Sequence, residues 1–250
     1  MSEAMVEVRN LTKLFKTRKG GLRAVDDLSF TCYGGEIFGL LGPNGAGKTT
    51  TLRMLATILT PSSGTVRVAG FDTKASPDKV REQIGFLATE TGLYDRFTAE
   101  ETLRFFGRIN RLTEAEIGER TERILDMLEL TSLASRRVGT FSTGEKQKLS
   151  LARSIIHNPP VLIFDEPTFG LDVMAGRAVI ETIQLFREQG HTIILSTHIM
   201  QVAEKLCSRI GILYRGRLHA LGTLGALRSR FGKEDLEDIF FAAVEGEPTC

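Results

Sequence analysis

The 250-residue sequence carries 32 Lys and Arg against 31 Asp and Glu, with 42% hydrophobic and 25% charged residues, a composition that excludes a disordered chain. A net charge of +1 gives no broad attraction to nucleic acid or anionic lipid. Cys32, Cys207 and Cys250 lack the paired spacing of a zinc site or disulfide framework and fit a reducing cytoplasm; the start MSEAMVEVRN has no signal pattern, and no stretch approaches the roughly 20 apolar residues that cross a bilayer.

Two short β-rich runs, Val6 to Arg9 and Leu28 to Tyr33, open the chain, and Ile37-Phe38-Gly39-Leu40-Leu41 reads as a buried strand. A glycine-rich turn follows. From Lys48 the pattern is helical, with Leu52, Leu55 and Leu59 on one stripe until Pro61-Ser62-Ser63-Gly64 ends it. Strands are expected at Thr65 to Ala69 and Ile84 to Leu87. The section from about Thr98 to Asn158 is almost wholly helical in pattern, with Ile117, Ile124, Leu125 and Leu128 on one face and Leu149, Ala152 and Ile156 on another; it reads as an inserted helical lobe. Strand and helix then alternate: Val161 to Phe164, a helix from about Ala175 to Glu188, Thr192 to Ser196, a helix from Met200 to Leu206, and Arg209 to Leu213. This alternation predicts an α/β fold with a mainly parallel sheet and helices on both faces. The last 30 residues read as a small helical appendage, and no internal repeat is visible.

Gly42, Pro43, Asn44, Gly45, Ala46, Gly47, Lys48 and Thr49 match the phosphate-loop pattern G-x-x-x-x-G-K-[ST], between a predicted strand and a predicted helix as the pattern requires. The glycines let backbone N–H groups converge on phosphate oxygens, and the helix N-terminus adds partial positive charge. Lys48 can reach the β- and γ-phosphates, and the Thr49 hydroxyl can ligate Mg²⁺.

Val161-Leu162-Ile163-Phe164-Asp165-Glu166 carries a buried strand directly into two carboxylates at the carboxyl end of the sheet, where nucleotides bind in open α/β folds. Neighbours on an extended chain face opposite ways, so the pair is expected to divide its work: Asp165 in the Mg²⁺ shell, Glu166 polarising the attacking water.

With Phe141-Ser142-Thr143-Gly144-Glu145 placed upstream of that strand, the sequence resembles an ATP-binding cassette (ABC) ATPase, and the likeness spans almost the whole chain. Phe15 resembles the aromatic that stacks on adenine, Phe169-Gly170-Leu171-Asp172 the D-loop, His198 the switch histidine, and Ile84 to Tyr94 the Q-loop region. The resemblance implies a P-loop NTPase core with an N-terminal antiparallel β subdomain and an inserted helical subdomain. It implies an ATPase domain over 1–220, with core 1–90 and 159–220 and helical subdomain about 91–158, and an appendage at 221–250. It implies ATP and Mg²⁺ as cofactors, contacts to ATP from Phe15 and from Gly42 through Thr50, and Lys48, Glu166 and His198 as catalytic residues, with Thr49 and Asp165 on the metal. Ser142 and the amides around Gly144, at a helix start, would contact ATP held by the opposite subunit.

All these parts lie in one chain, which implies a homodimer with two competent sites, cytoplasmic and peripheral on the cell membrane, driving separately encoded permease subunits. Leu93, Tyr94 and Phe97 fall where the family receives coupling helices. Two departures stand out: Thr89, with Glu90 beside it, occupies the place of the Q-loop glutamine, and the signature reads Phe-Ser-Thr-Gly-Glu where Leu-Ser-Gly-Gly-Gln is commonest. The sequence most resembles ATPase subunits of ABC-2-type exporters, including the NatA-type sodium-efflux group, with sodium ions or a drug- or lipid-like molecule as cargo. The alternative, a soluble ABC ATPase of DNA repair or translation, commonly needs coiled-coil insertions or a second cassette, and neither fits in 250 residues.

Overall fold

The computed structural model describes residues 3–17, 20–89 and 92–245. Two sheets organise the chain. The first is antiparallel, in the order β2-β1-β4-β5, built from β1 (Ala4–Thr17), β2 (Gly20–Tyr33), and the later strands β4 (Ser63–Val68) and β5 (Phe71–Asp72). The opening hairpin is far longer than the runs that announce it, because Val6, Val8, Leu11, Val25, Leu28 and Phe30 bury one face while the tip around Leu22 stands in solvent. Polar residues at that tip hide the strand pattern from a sequence reading.

The second sheet has the order β10-β9-β3-β8-β7-β6 and is parallel apart from one edge strand. At its centre lie β3 (Ile37–Leu41), β7 (Val161–Asp165) and β8 (Thr192–Thr197), every residue of which is buried. Burial on both faces is why they read as continuous apolar runs. Beside them lie β6 (Ile84–Leu87) and β9 (Arg209–Tyr214), with β10 (Arg217–Gly222) antiparallel at the edge. β10 adjoins a stretch expected to be a helical appendage. It arises from a tight turn in which Arg215 and Gly216 both have positive φ, 48° and 82°, the primed-turn geometry that hairpins favour.

Helix α1 (Lys48–Leu55) stops short of Leu59, because Thr57 enters the left-handed region at φ 62°. A short helix, α2 (Pro77–Glu82), precedes β6 and was not evident from the pattern. The middle section holds α3 (Ala99–Ile109), α4 (Glu114–Met127) and α5 (Thr143–Ile155), each opened by a capping box: Thr98 with Glu101, Thr113 with Glu116, Ser142 with Glu145. Ile124, Leu125, Leu128, Leu149, Ala152 and Ile156 pack into one apolar cluster that continues onto a face of the parallel sheet through Leu162, Phe164 and Leu195. The opposite face, with Phe38, Leu40 and Ile163, packs against α1 and the antiparallel sheet. Helices α6 (Val173–Glu188) and α7 (Met200–Leu206) complete the alternation, and α8 (Leu224–Phe231) and α9 (Leu236–Glu245) cover β9 and β10 through Leu227, Leu236, Ile239 and Phe240. No described helix is long and apolar enough to cross a membrane.

Candidate functional site

The turn from β3 into α1 is pinned from behind. A Cβ on Gly42 would lie 2.1 Å from the Leu213 carbonyl oxygen, and one on Gly47 (φ 104°) 2.4 Å from that of Ala24. The amide of Gly216 donates to the Ala46 carbonyl at 2.9 Å. Gly45 (φ 79°) has nothing near its side-chain direction and faces open space. The N-cap of α1 is Gly47, which offers no side-chain acceptor, so the first-turn N–H groups have no intrahelical or capping partner and carry the positive end of the helix dipole.

This turn borders a cavity of about 380 Å³. It is lined by residues 44–50, by Phe15, Leu22 and Ala24, and by Thr89, Glu166, Phe169 and His198. Lys48, 5% exposed, bends its ammonium back to donate to the carbonyls of Gly42 (2.6 Å) and Pro43 (3.1 Å). The same Nζ lies 3.1 Å from Glu166 Oε1, close enough to pair electrostatically but off the hydrogen-bonding line, so that buried oxygen has no hydrogen-bond partner. Glu166 Oε2 meets His198 Nδ1 at 2.9 Å. Asp165, 1% exposed, accepts at Oδ1 from Thr49 Oγ1 (3.0 Å) and Ser196 Oγ (2.6 Å). A cavity with a folded-back cation, uncapped amides and an orphaned carboxylate oxygen fits a polyphosphate, and the hard-oxygen pair of Thr49 and Asp165 suits Mg²⁺.

Asp165 and Glu166 do diverge, though not through strand alternation. β7 ends at Asp165, and Glu166 already sits in the left-handed region at φ 50°, so a turn rather than the pleat separates the two carboxylates. Phe15 lies on β1 in the cavity wall, with Lys13 Nζ 5.2 Å from its ring centroid. The Thr89 hydroxyl reaches the Asp165 carbonyl at 3.3 Å, a short polar link where a longer side chain was the family expectation. Glu90 lies outside the described residues.

The segment Phe141 to Glu145 does not line this cavity. Phe141 is buried in the helical lobe; Ser142 Oγ accepts from the Glu145 amide, while Glu145 Oε2 accepts from the Ser142 amide. A Cβ on Gly144 would stand 2.9 Å from Ala175 Cβ, so this turn lies against the first turn of α6. There Asp172 is the N-cap, its carboxylate accepting from the Ala175 amide at 2.9 Å. Sequence reasoning missed Ser196: a serine inside an apolar strand carries no motif, and only the pairing of β8 with β7 sets it against Asp165.

The ABC transporter family model matches residues 25–169. The ABC transporter ATP-binding protein NatA of Bacillus subtilis is 41% identical over 96% of this chain and 98% of its own length. Among solved structures, the ATP-binding subunit of an ABC transporter superposes with a TM-score of 0.85 at 32% identity, covering 96% of this chain and 99% of the other. An ATP-binding cassette in a dimeric, post-hydrolysis state bound to ADP and Pi gives 0.78 at 27% identity, covering 88% and 98%. The chain therefore belongs to the ABC transporter family, as an ATP-binding subunit.

Proposed function

We propose that this chain hydrolyses ATP to power export through separate transmembrane subunits, closing as a homodimer over two nucleotides. The carrying observation is the chain of contacts from buried Lys48 through Glu166 to half-buried His198 in the phosphate-loop cavity. In this reading the Lys48 ammonium leaves the Gly42 and Pro43 carbonyls for the β- and γ-phosphates, joined by the free amides of the loop. Phe15 supplies a face for adenine. Removing Lys48 from Glu166 frees the carboxylate to orient and polarise water, while His198 fixes its other oxygen. Thr49 and Asp165 would hold Mg²⁺, which offsets phosphate charge.

Ser142 and the first-turn amides of Thr143 and Gly144 stand away from their own cavity and serve the partner's nucleotide. The lobe of about 91–158 carries them, moving against the core of 1–90 and 159–220. An aromatic patch of Tyr94 (50% exposed), Phe97 and Phe105 (38% exposed) lies on this lobe and receives the membrane subunit. Export follows from the likeness to ABC-2-type ATPases, with sodium or a drug- or lipid-like molecule as cargo.

The test is Glu166→Gln in the full chain. Turnover should fall roughly 10²- to 10⁴-fold, as expected for loss of a general base, while ATP binding persists and a dimer accumulates on gel filtration. An unaltered rate, or a nucleotide-loaded variant that stays monomeric alone and with its membrane partner, contradicts the reading.

A further inference from the structure

We propose that Ser196 is a positioning residue for hydrolysis, one oxygen that ties the Asp165 carboxylate to the main chain from which the Glu166 side chain departs; this rests on the roles given above to Asp165 and Glu166. Ser196 is fully buried, next to last in β8. Its hydroxyl donates to Asp165 Oδ1 at 2.6 Å and accepts from the Glu166 amide at 3.0 Å. The directions follow from the Glu166 amide, which can only donate and so leaves the hydroxyl proton free for Asp165 Oδ1. The hydroxyl thus has one proton and one lone pair engaged at the two residues that matter.

Strand pairing alone would not provide this. The β7–β8 ladder sets Asp165 beside Ser196, and the Glu166 amide also reaches the Ser196 carbonyl at 3.2 Å. Neither contact orients a carboxylate. The hydroxyl holds Oδ1 of Asp165 where it also meets Thr49 Oγ1. It also anchors the peptide at which Glu166 departs into a left-handed conformation (φ 50°), a state sparsely populated by non-glycine residues and kept only where surroundings impose it. In that conformation Glu166 reaches both Lys48 and His198. The end of β8 adds a third tie, since the Thr197 carbonyl accepts from the Gly42 amide at 3.2 Å. Phosphate loop, metal-side carboxylate and water-side carboxylate are therefore referenced to two consecutive residues.

The experiment compares Ser196→Ala, Ser196→Thr and Ser196→Val in the full chain. The alanine variant should fold, because Asp165 keeps Thr49 and the Glu166 amide keeps the main-chain carbonyl. Its kcat should fall about ten- to a hundredfold through misplacement, with ATP affinity, read by displacement of a fluorescent nucleotide, within about twofold. Threonine and valine have nearly the same shape, so recovery of turnover in Ser196→Thr but not Ser196→Val assigns the effect to the hydroxyl. Equal rates for those two, a normal rate for Ser196→Ala, or a parallel loss of kcat and ATP affinity would each overturn the proposal. An unmodified chain that hydrolyses ATP, an inactive Glu166→Gln and a fully active Ser196→Ala would sink this inference alone. An unmodified chain without ATP turnover would sink the functional reading with it.

Discussion

The phosphate loop and the Phe141–Glu145 turn both place glycine at a helix start, yet they treat the exposed amides in opposite ways. At α1 the cap is Gly47, with no side chain to offer, and the amides open onto a cavity. At α5 the cap is Ser142, and Glu145 closes a reciprocal box, so two of the orphan donors are already engaged. Gly45 faces empty space, whereas Gly144 is pressed against Ala175. The first turn opens its amides onto a cavity; the second closes two of its own and lies outside that cavity.

Lys48→Ala attacks the first turn alone and should have the largest effect. Loss of a charge-assisted bond at a buried site costs about 2–3 kcal/mol of nucleotide affinity, some thirty- to a hundred-and-fiftyfold in Kd by calorimetry. A normal Kd would remove the cavity from the nucleotide site. Gly144→Val attacks only the second turn. The new side chain starts within 2.9 Å of Ala175 Cβ, and overpacking costs about 1–3 kcal/mol. Monomer affinity for ATP should be unchanged, while the dimer trapped by Glu166→Gln is lost; a dimer that survives would erase the contrast between the turns.

Ser142→Ala is milder, removing the cap for about 1 kcal/mol, a fall of roughly 2–4 °C in Tm. It too should spare ATP binding by the separate subunit. The smallest effect concerns pH. His157, just past α5, and His191 are both held below the usual 6.5, chiefly by burial. The unfolded chain therefore takes up protons first as pH falls. Stability is complete above about 6.5 and declines as pH drops through that value toward the lowered folded ones. Tm measured from about pH 7.5 to 5.5 should show this decline, and replacing both histidines by glutamine should flatten it.

Legibility in the sequence followed chemistry that is local. β3, β6 and α7 were read to the residue because apolar runs and flanking turn residues lie together in the chain. The phosphate loop was legible for the same reason. β10 was not: its turn is Tyr214-Arg215-Gly216-Arg217, without the asparagine or aspartate that advertises a primed turn. The left-handed state of Glu166 and the bridging hydroxyl of Ser196 depend on two strands 31 positions apart meeting in register, and no single stretch encodes that.

The clamp behind the phosphate loop has a further consequence for how substitutions distribute along it. Main-chain oxygens of Leu213 and Ala24 occupy the space that side chains at positions 42 and 47 would need, so drift there must displace a neighbouring strand. Asn44, by contrast, is exposed at the cavity. That scaffold is held by the chain's own main-chain contacts, so little chain entropy remains to be lost on capture. Affinity can then be tuned at the rim, leaving the frame untouched.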